Sequence, residues 1–305
     1  MNYSIPYIDK KTADNLISKA MIRTSSDSRG GNSKAYLIDD YCVLKTHNIA
    51  LYYSEKDKLP FDSIIKKING LKESDVHVVP VLGFYYDKIN DYGDCAYAQG
   101  YIIQEKAKGS ELYSDKYPKQ YGEVSQENID YLQNRVNELA HAPQEQYTKF
   151  IQDYKTICDA KIMIDPSKKS NFFYDKDYGF SFIDLNFSTD ISEFDRPDLY
   201  DNNTHRNFIR YCFLPCVDFL SQNILDKMSP TELSLLTENN KQIFGKVYNG
   251  LREIGVSQND IVTAFEEQKN YKSFSSEKKC FGVSTPEYFD TLEQKLTDKE
   301  NTTQN

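Results

Sequence analysis

No stretch of this 305-residue chain approaches the roughly 20 consecutive apolar residues that a membrane-crossing helix needs. A basic excess is missing too. Asp and Glu number 46 against 37 Lys and Arg, a formal net charge of −9, and the cations are scattered among the anions. That balance argues against nucleic acid or an anionic membrane as partner. The opening residues, MNYSIPYIDKK, have neither the basic start nor the apolar centre of a secretory signal, so a cytoplasmic location is expected. The 6 cysteines, at 42, 95, 158, 212, 216 and 280, are too dispersed for a disulfide frame in an unexported chain. Cys212 and Cys216 lie one helical turn apart, with His205 shortly before them. With no further ligand nearby, they read as core thiols rather than a metal site.

What is present is ordinary for a globular protein: 39% hydrophobic and 27% charged residues, in a chain long enough for two domains. Ala13, Leu16, Ile17 and Ala20 share one face of a predicted entry helix over 10–21. After the turn SSDSRGGNS come two strand-like runs, AYLIDD and YCVLKT, joined at Asp39–Asp40. Phe61, Ile64, Ile65, Ile68 and Leu71 predict a helix over 61–71. Strand patterns return at 77–87 and 96–106. Beyond Gly109 the texture becomes helical. Helices are predicted over 126–140, behind a Ser125 cap, and over 144–158. KIMID and FSFIDLNF are strand-like and flank a segment that turns near Asp177–Gly179. From residue 204 on, helices dominate. Their clearest start is the capping box Ser229-Pro230-Thr231-Glu232, and Ser257 and Thr285-Pro286 open two more.

Four elements carry candidate chemistry. The first is the turn Arg29-Gly30-Gly31-Asn32-Ser33, whose glycines let backbone N–H groups approach a phosphate closely. Such a turn also closes an ordinary hairpin. The second is Lys45, ending the apolar run Val43-Leu44. It suits phosphate neutralisation, or the wet face of a strand. The third is Tyr101-Ile102-Ile103-Gln104-Glu105-Lys106-Ala107-Lys108-Gly109, an apolar strand leading into a polar connector whose backbone groups could pair with an adenine edge or form a plain loop. The fourth runs from Asp165 through Asn171 to Asp184. Asn171 and Asp184 are hard oxygen donors of the kind Mg²⁺ takes. Asp184 follows Phe180, Phe182 and Ile183, at the end of a buried strand pattern where a solvated carboxylate is out of place; it could also cap a turn.

In this order and spacing, the four elements resemble the protein-kinase-like superfamily. They are most similar to its small-molecule phosphotransferase branch, typified by aminoglycoside and choline kinases, over about residues 20–190. The resemblance implies a two-lobed α+β fold. Residues 1–105 would form an N-terminal lobe with an antiparallel sheet, and 106–305 a mainly helical C-terminal lobe. It implies ATP and Mg²⁺ as cofactors. Gly30 and Gly31 would cover the ATP phosphates and Lys45 would contact them. Gln104 would be the gatekeeper beside the adenine, and Glu105 to Ala107 would hold it. Asp165 would act as base or position the acceptor hydroxyl, with Asn171 and Asp184 on the metal. Asp62, opening the 61–71 helix, is the candidate partner for Lys45, with Glu55 as the alternative. The chain departs from the family where Met163 and Ile164 replace the usual His and Arg or Gly before the catalytic Asp. Asp165 is also six residues from Asn171, where five is usual, and the metal Asp sits in Asp-Leu-Asn.

Asp190, Glu193, Asp195, Asp198 and Asp201 make the next segment acidic. It would attract a cationic acceptor, such as an aminoglycoside or amino alcohol, or is simply a solvated loop. The expected function is transfer of the ATP γ-phosphate to a hydroxyl of a small molecule. The altered catalytic loop also suits a pseudokinase or nucleotide-sensing module, and a minimal bacterial protein kinase is the third reading.

Overall fold

The computed structural model describes residues 7–23, 28–29, 33–38, 41–52, 61–93, 96–112, 123–160, 162–164, 171–183, 185–186, 204–216 and 222–270, with a few positions near the C-terminus. The chain is α+β and divides into two compact units. One comprises Met1–Lys108, Thr156–Asp165 and Ser181–Pro197; the other comprises Gly109–Lys155, Pro166–Phe180 and Asp198–Asn305.

In the first unit, α1 (Lys10–Arg23) precedes β1 (Ser28–Arg29), β2 (Ser33–Ile38) and β3 (Tyr41–Tyr52). Then come α2 (Phe61–Glu73), β4 (Val81–Asp91) and β5 (Ala96–Glu105). The five strands form one sheet in the order β1-β2-β3-β5-β4, antiparallel at every pairing. Both later strand patterns therefore join the sheet that contains Lys45. The helix expected at 61–71 is α2, whose Ile65, Ile68 and Leu71 are buried as their spacing requires.

β4 is an outer strand of this sheet, and groups from outside the sheet pair with parts of its backbone. The Asn69 carboxamide accepts from the Val81 N–H at 2.9 Å and donates to the Val81 carbonyl at 2.8 Å. Farther along, the β4–β5 register slips between Asp87 and Asn90. Lys88 there takes a φ of 50°, in the left-handed region.

The sequence suggested a single boundary at 105/106. The structure passes from one unit to the other at Lys108/Gly109 and returns two later segments to the first unit. Backbone pairing explains the return. The Phe182 N–H donates to His77 O at 2.9 Å, and the Val79 N–H donates to Phe182 O at 3.2 Å. β7 (Met163–Ile164) pairs antiparallel with β10 (Leu185–Asn186).

The second unit holds β6 (Ser110–Glu111), α3 (Gln126–His141) and α4 (Gln144–Asp159), which runs on into the first. It also holds β8 (Phe172–Asp175), α5 (Thr204–Cys212), α6 (Gln222–Lys227), α7 (Pro230–Glu253) and α8 (Gln258–Asn270). β9 (Gly179–Phe182) completes a three-stranded sheet, β6-β8-β9. Phe180 is the centre of an aromatic core. Its ring lies 4.8 Å from Phe150, 4.8 Å from Tyr174 and 5.1 Å from Tyr147. Ser125 caps α3 with Asn128 at the third position. Ser229 caps α7 with Glu232, behind Pro230, as the sequence signature indicated. The helix opened by Ser257 is α8; the one expected after Thr285-Pro286 lies outside the described residues. Cys212 and Cys216 are fully buried in the core, while His205 is exposed and pairs with Asp260 at 3.9 Å.

Candidate functional site

Lys45 lies in β3, in register with Lys34 of β2 and Tyr101 of β5. Residues directly opposite on neighbouring strands belong to the same sheet face, and alternate residues along a strand share a face. Tyr101 and Ile103 therefore share one face of β5. Gln104 is opposite Cys42, and Val43 is opposite Ile103. Gln104 thus belongs to the other face of β5 from Tyr101 and Ile103. The sequence could not supply this, because a shift of one residue in pairing reverses every face assignment.

The connector leaves β5 directly. The Glu105 N–H donates to Pro80 O at 3.2 Å, so that amide is committed within the first unit. The Glu105 side chain is exposed and Ala107 is half-buried. Gly109 ends the connector with a φ of +77°. Asp62 occupies the first turn of α2, a helix that packs against β3 and β4. An acid there is favoured by the helix dipole whether or not it has a cationic partner.

Asn171 immediately precedes β8 and is buried, at 3% exposure. Next to it, Phe172 accepts a backbone hydrogen bond from the Leu112 N–H at 2.8 Å. The turn joining β8 and β9 is closed by Asp175, whose Oδ1 accepts from the N–H groups of Asp177 and Tyr178, both at 2.9 Å. That is the turn the sequence placed at Asp177–Gly179. Gly30, Gly31, Asp165 and Asp184 lie outside the described residues, as do the acidic positions from 190 to 201.

The neighbours of the two aspartates are described. Ile164 precedes Asp165 and Leu185 follows Asp184, and these neighbours are register partners in the β7–β10 pair. Phe182, two residues before Asp184, is bonded to the 77–79 segment. An amide oxygen from Asn171 and a carboxylate from Asp184 are the hard donors that Mg²⁺ prefers, so the named residues fit that metal by kind. Among the described residues, no group of three or more His, Cys, Asp or Glu side chains could hold a metal ion. Among them, too, no helix is long and apolar enough to cross a membrane.

Compared with known proteins, the chain matches no family model and no curated sequence.

Proposed function

We propose that the chain is an ATP-dependent phosphotransferase of two-lobed, kinase-like fold, acting on a hydroxyl of a small, cationic acceptor. The observation that carries this reading is the β7–β10 pairing. Asp165 and Asp184 are nineteen positions apart in sequence, yet Ile164 and Leu185, the residues adjoining them, are register partners. A base that receives the acceptor proton and a carboxylate on the nucleotide's metal must work within one small volume. The sheet lends further support, because β1 to β5 form one antiparallel sheet within the 1–105 segment where the resemblance implies such an N-terminal lobe.

In this mechanism Lys45 neutralises phosphate charge, and Asn171 and Asp184 hold Mg²⁺. The metal, when bound, offsets the charge that builds on the phosphate oxygens. The connector backbone after Glu105 binds the adenine. Asp165 orients the acceptor hydroxyl and takes its proton as the oxygen attacks the γ-phosphorus, and the bond to the bridging oxygen breaks so that ADP leaves. The acidic segment after Asp184 attracts the cationic acceptor.

The test is ATP turnover with Mg²⁺, in the presence of a panel of amino alcohols and aminoglycosides, for wild type and Asp184→Asn. Acceptor-dependent turnover that Asp184→Asn abolishes is the expected result. Equal turnover by both proteins would overturn the reading. Nucleotide binding without turnover in the wild type would favour a pseudokinase, the alternative that the altered residues before Asp165 support.

A further inference from the structure

A short link, 74–80, joins the end of α2 to the start of β4. Within the first unit its backbone, with that of Val81, is held from three directions. On one side is β9. The Phe182 N–H donates to His77 O, the Val79 N–H donates to Phe182 O, and Val78 forms a parallel bridge with Phe182. On another is the start of the connector, where the Glu105 N–H donates to Pro80 O at 3.2 Å. On the third is α2, through the bonds of the Asn69 carboxamide to both backbone groups of Val81, at 2.8 and 2.9 Å. Of these ties only the last is made by a side chain. The helix that bears it is itself anchored, with Ile65, Ile68 and Leu71 buried.

We propose that Asn69 is a positioning residue. Through the 77–81 segment it sets β9, which leads into Asp184, and the Glu105 amide, where the connector begins. This rests on the nucleotide reading of Asp184 and of the connector. Phe182 is fully buried and stands two positions before Asp184 in the chain. Leu185, the residue after Asp184, is paired with Ile164. The backbone is thus held on both sides of Asp184, and a shift of 77–79 reaches Phe182 directly through two hydrogen bonds. Pro80, between Val79 and Val81, carries the bond from Glu105. One short stretch therefore supports the chain on the metal side and on the adenine side of the proposed site. Asn69 fixes that stretch against α2. A carboxamide both donates and accepts, so it can close both backbone groups of one residue, which an acceptor-only carboxylate cannot do. A metal ligand binds only as well as its supporting residues hold it in place.

The experiment compares the full chain as wild type, Asn69→Ala, Asn69→Asp, Ile68→Val and Asp184→Asn. It follows amide exchange at Phe182 and Glu105 without nucleotide, and ATP affinity across a Mg²⁺ titration. Asn69→Ala should speed exchange at both amides by about 5-fold. It should also raise the Mg²⁺ concentration that half-saturates the effect on ATP affinity by about 10-fold, the low end of the cost of removing a residue that supports a metal ligand. Asn69→Asp keeps the acceptor for the Val81 N–H and loses the donor, so it should shift both readouts in the same direction. Ile68→Val trims a buried side chain of the same helix and leaves these bonds in place, so it should lower stability without moving the Mg²⁺ dependence. Faster exchange confined to Val81, with wild-type Mg²⁺ dependence in both Asn69 variants, would overturn the proposal. An equal change in Ile68→Val would also overturn it, by reducing Asn69 to a stability effect. If Asp184→Asn had the Mg²⁺ dependence of the wild type, or the wild type bound no Mg·ATP, the nucleotide reading would fall and the positioning role with it. Should Asn69→Ala fold poorly, Asn69→Asp decides by the same two readouts.

Discussion

A methyl group added to Gly109 would stand 2.0 Å from the Tyr174 carbonyl oxygen, at a backbone φ of +77°. Both facts resist any side chain there. Gly109→Ala should destabilise the second unit by at least about 1–3 kcal/mol from backbone strain alone, seen as a lower denaturation midpoint. The composition shift drew attention to Gly109 in the sequence, but the Tyr174 carbonyl that excludes a side chain belongs to a strand far along the chain. At the start of α8, the Ser257 hydroxyl donates to Asp260 Oδ2 at 2.6 Å and accepts from the Asp260 N–H at 3.0 Å. The Ser257 hydrogen bond is the main cause holding the Asp260 carboxyl below its ordinary value of 3.8. Because the folded value is depressed, the stabilisation is present above that ordinary value and is lost as pH falls through the folded one. Ser257→Ala should return the Asp260 titration, followed by carbon NMR, toward 3.8 and flatten the acid limb of stability.

Helices were legible because their apolar spacing and their caps are local. The Ser229 box reads directly in sequence, and the structure has both of its hydrogen bonds. Ser229→Ala should cost about 1 kcal/mol by leaving an N–H at the start of α7 unpaired, measurable by urea denaturation. Strands were legible as runs, but their partners were not. β3 extends past Thr46 to Tyr52, through an irregular register with β5. β6 and β10, at two residues each, are too short to leave a periodic signal and exist through their partners. Gln104 shows the consequence most clearly. Its partner across the sheet, Cys42 of β3, and its place on the face of β5 opposite to Tyr101 and Ile103 come only with the pairing. Arg135 is another residue whose role needed the fold. Buried in α3, it donates from Nη2 to the Ser110 carbonyl at 2.8 Å and lies 5.5 Å from the centre of the Tyr174 ring. Arg135→Met should free the β6 carbonyl and cost about 1–3 kcal/mol, with faster amide exchange in β8.

At the scale of the molecule, the proposed phosphotransfer would make distinct demands on residues that sequence alone groups together. Asp165→Asn should spare Mg·ATP binding and lower turnover by roughly 10²–10⁴ if Asp165 takes the acceptor proton. Normal turnover in that variant beside a dead Asp184→Asn would leave the metal role standing and move the search for the base to Ser167 and Lys168. The outer strand β4 bears on a different property, the behaviour of many copies in one solution. A long strand with bare N–H and C=O groups is a template on which a second chain can lay its own backbone, and a third upon that. Here Asn69 occupies both groups of Val81, and the slip around Lys88 bends the far end out of line. A neighbouring molecule therefore meets a strand that is stoppered at its start and kinked near its finish, and sheet growth by copying, the first step toward a fibril, finds little straight edge on β4 to begin from.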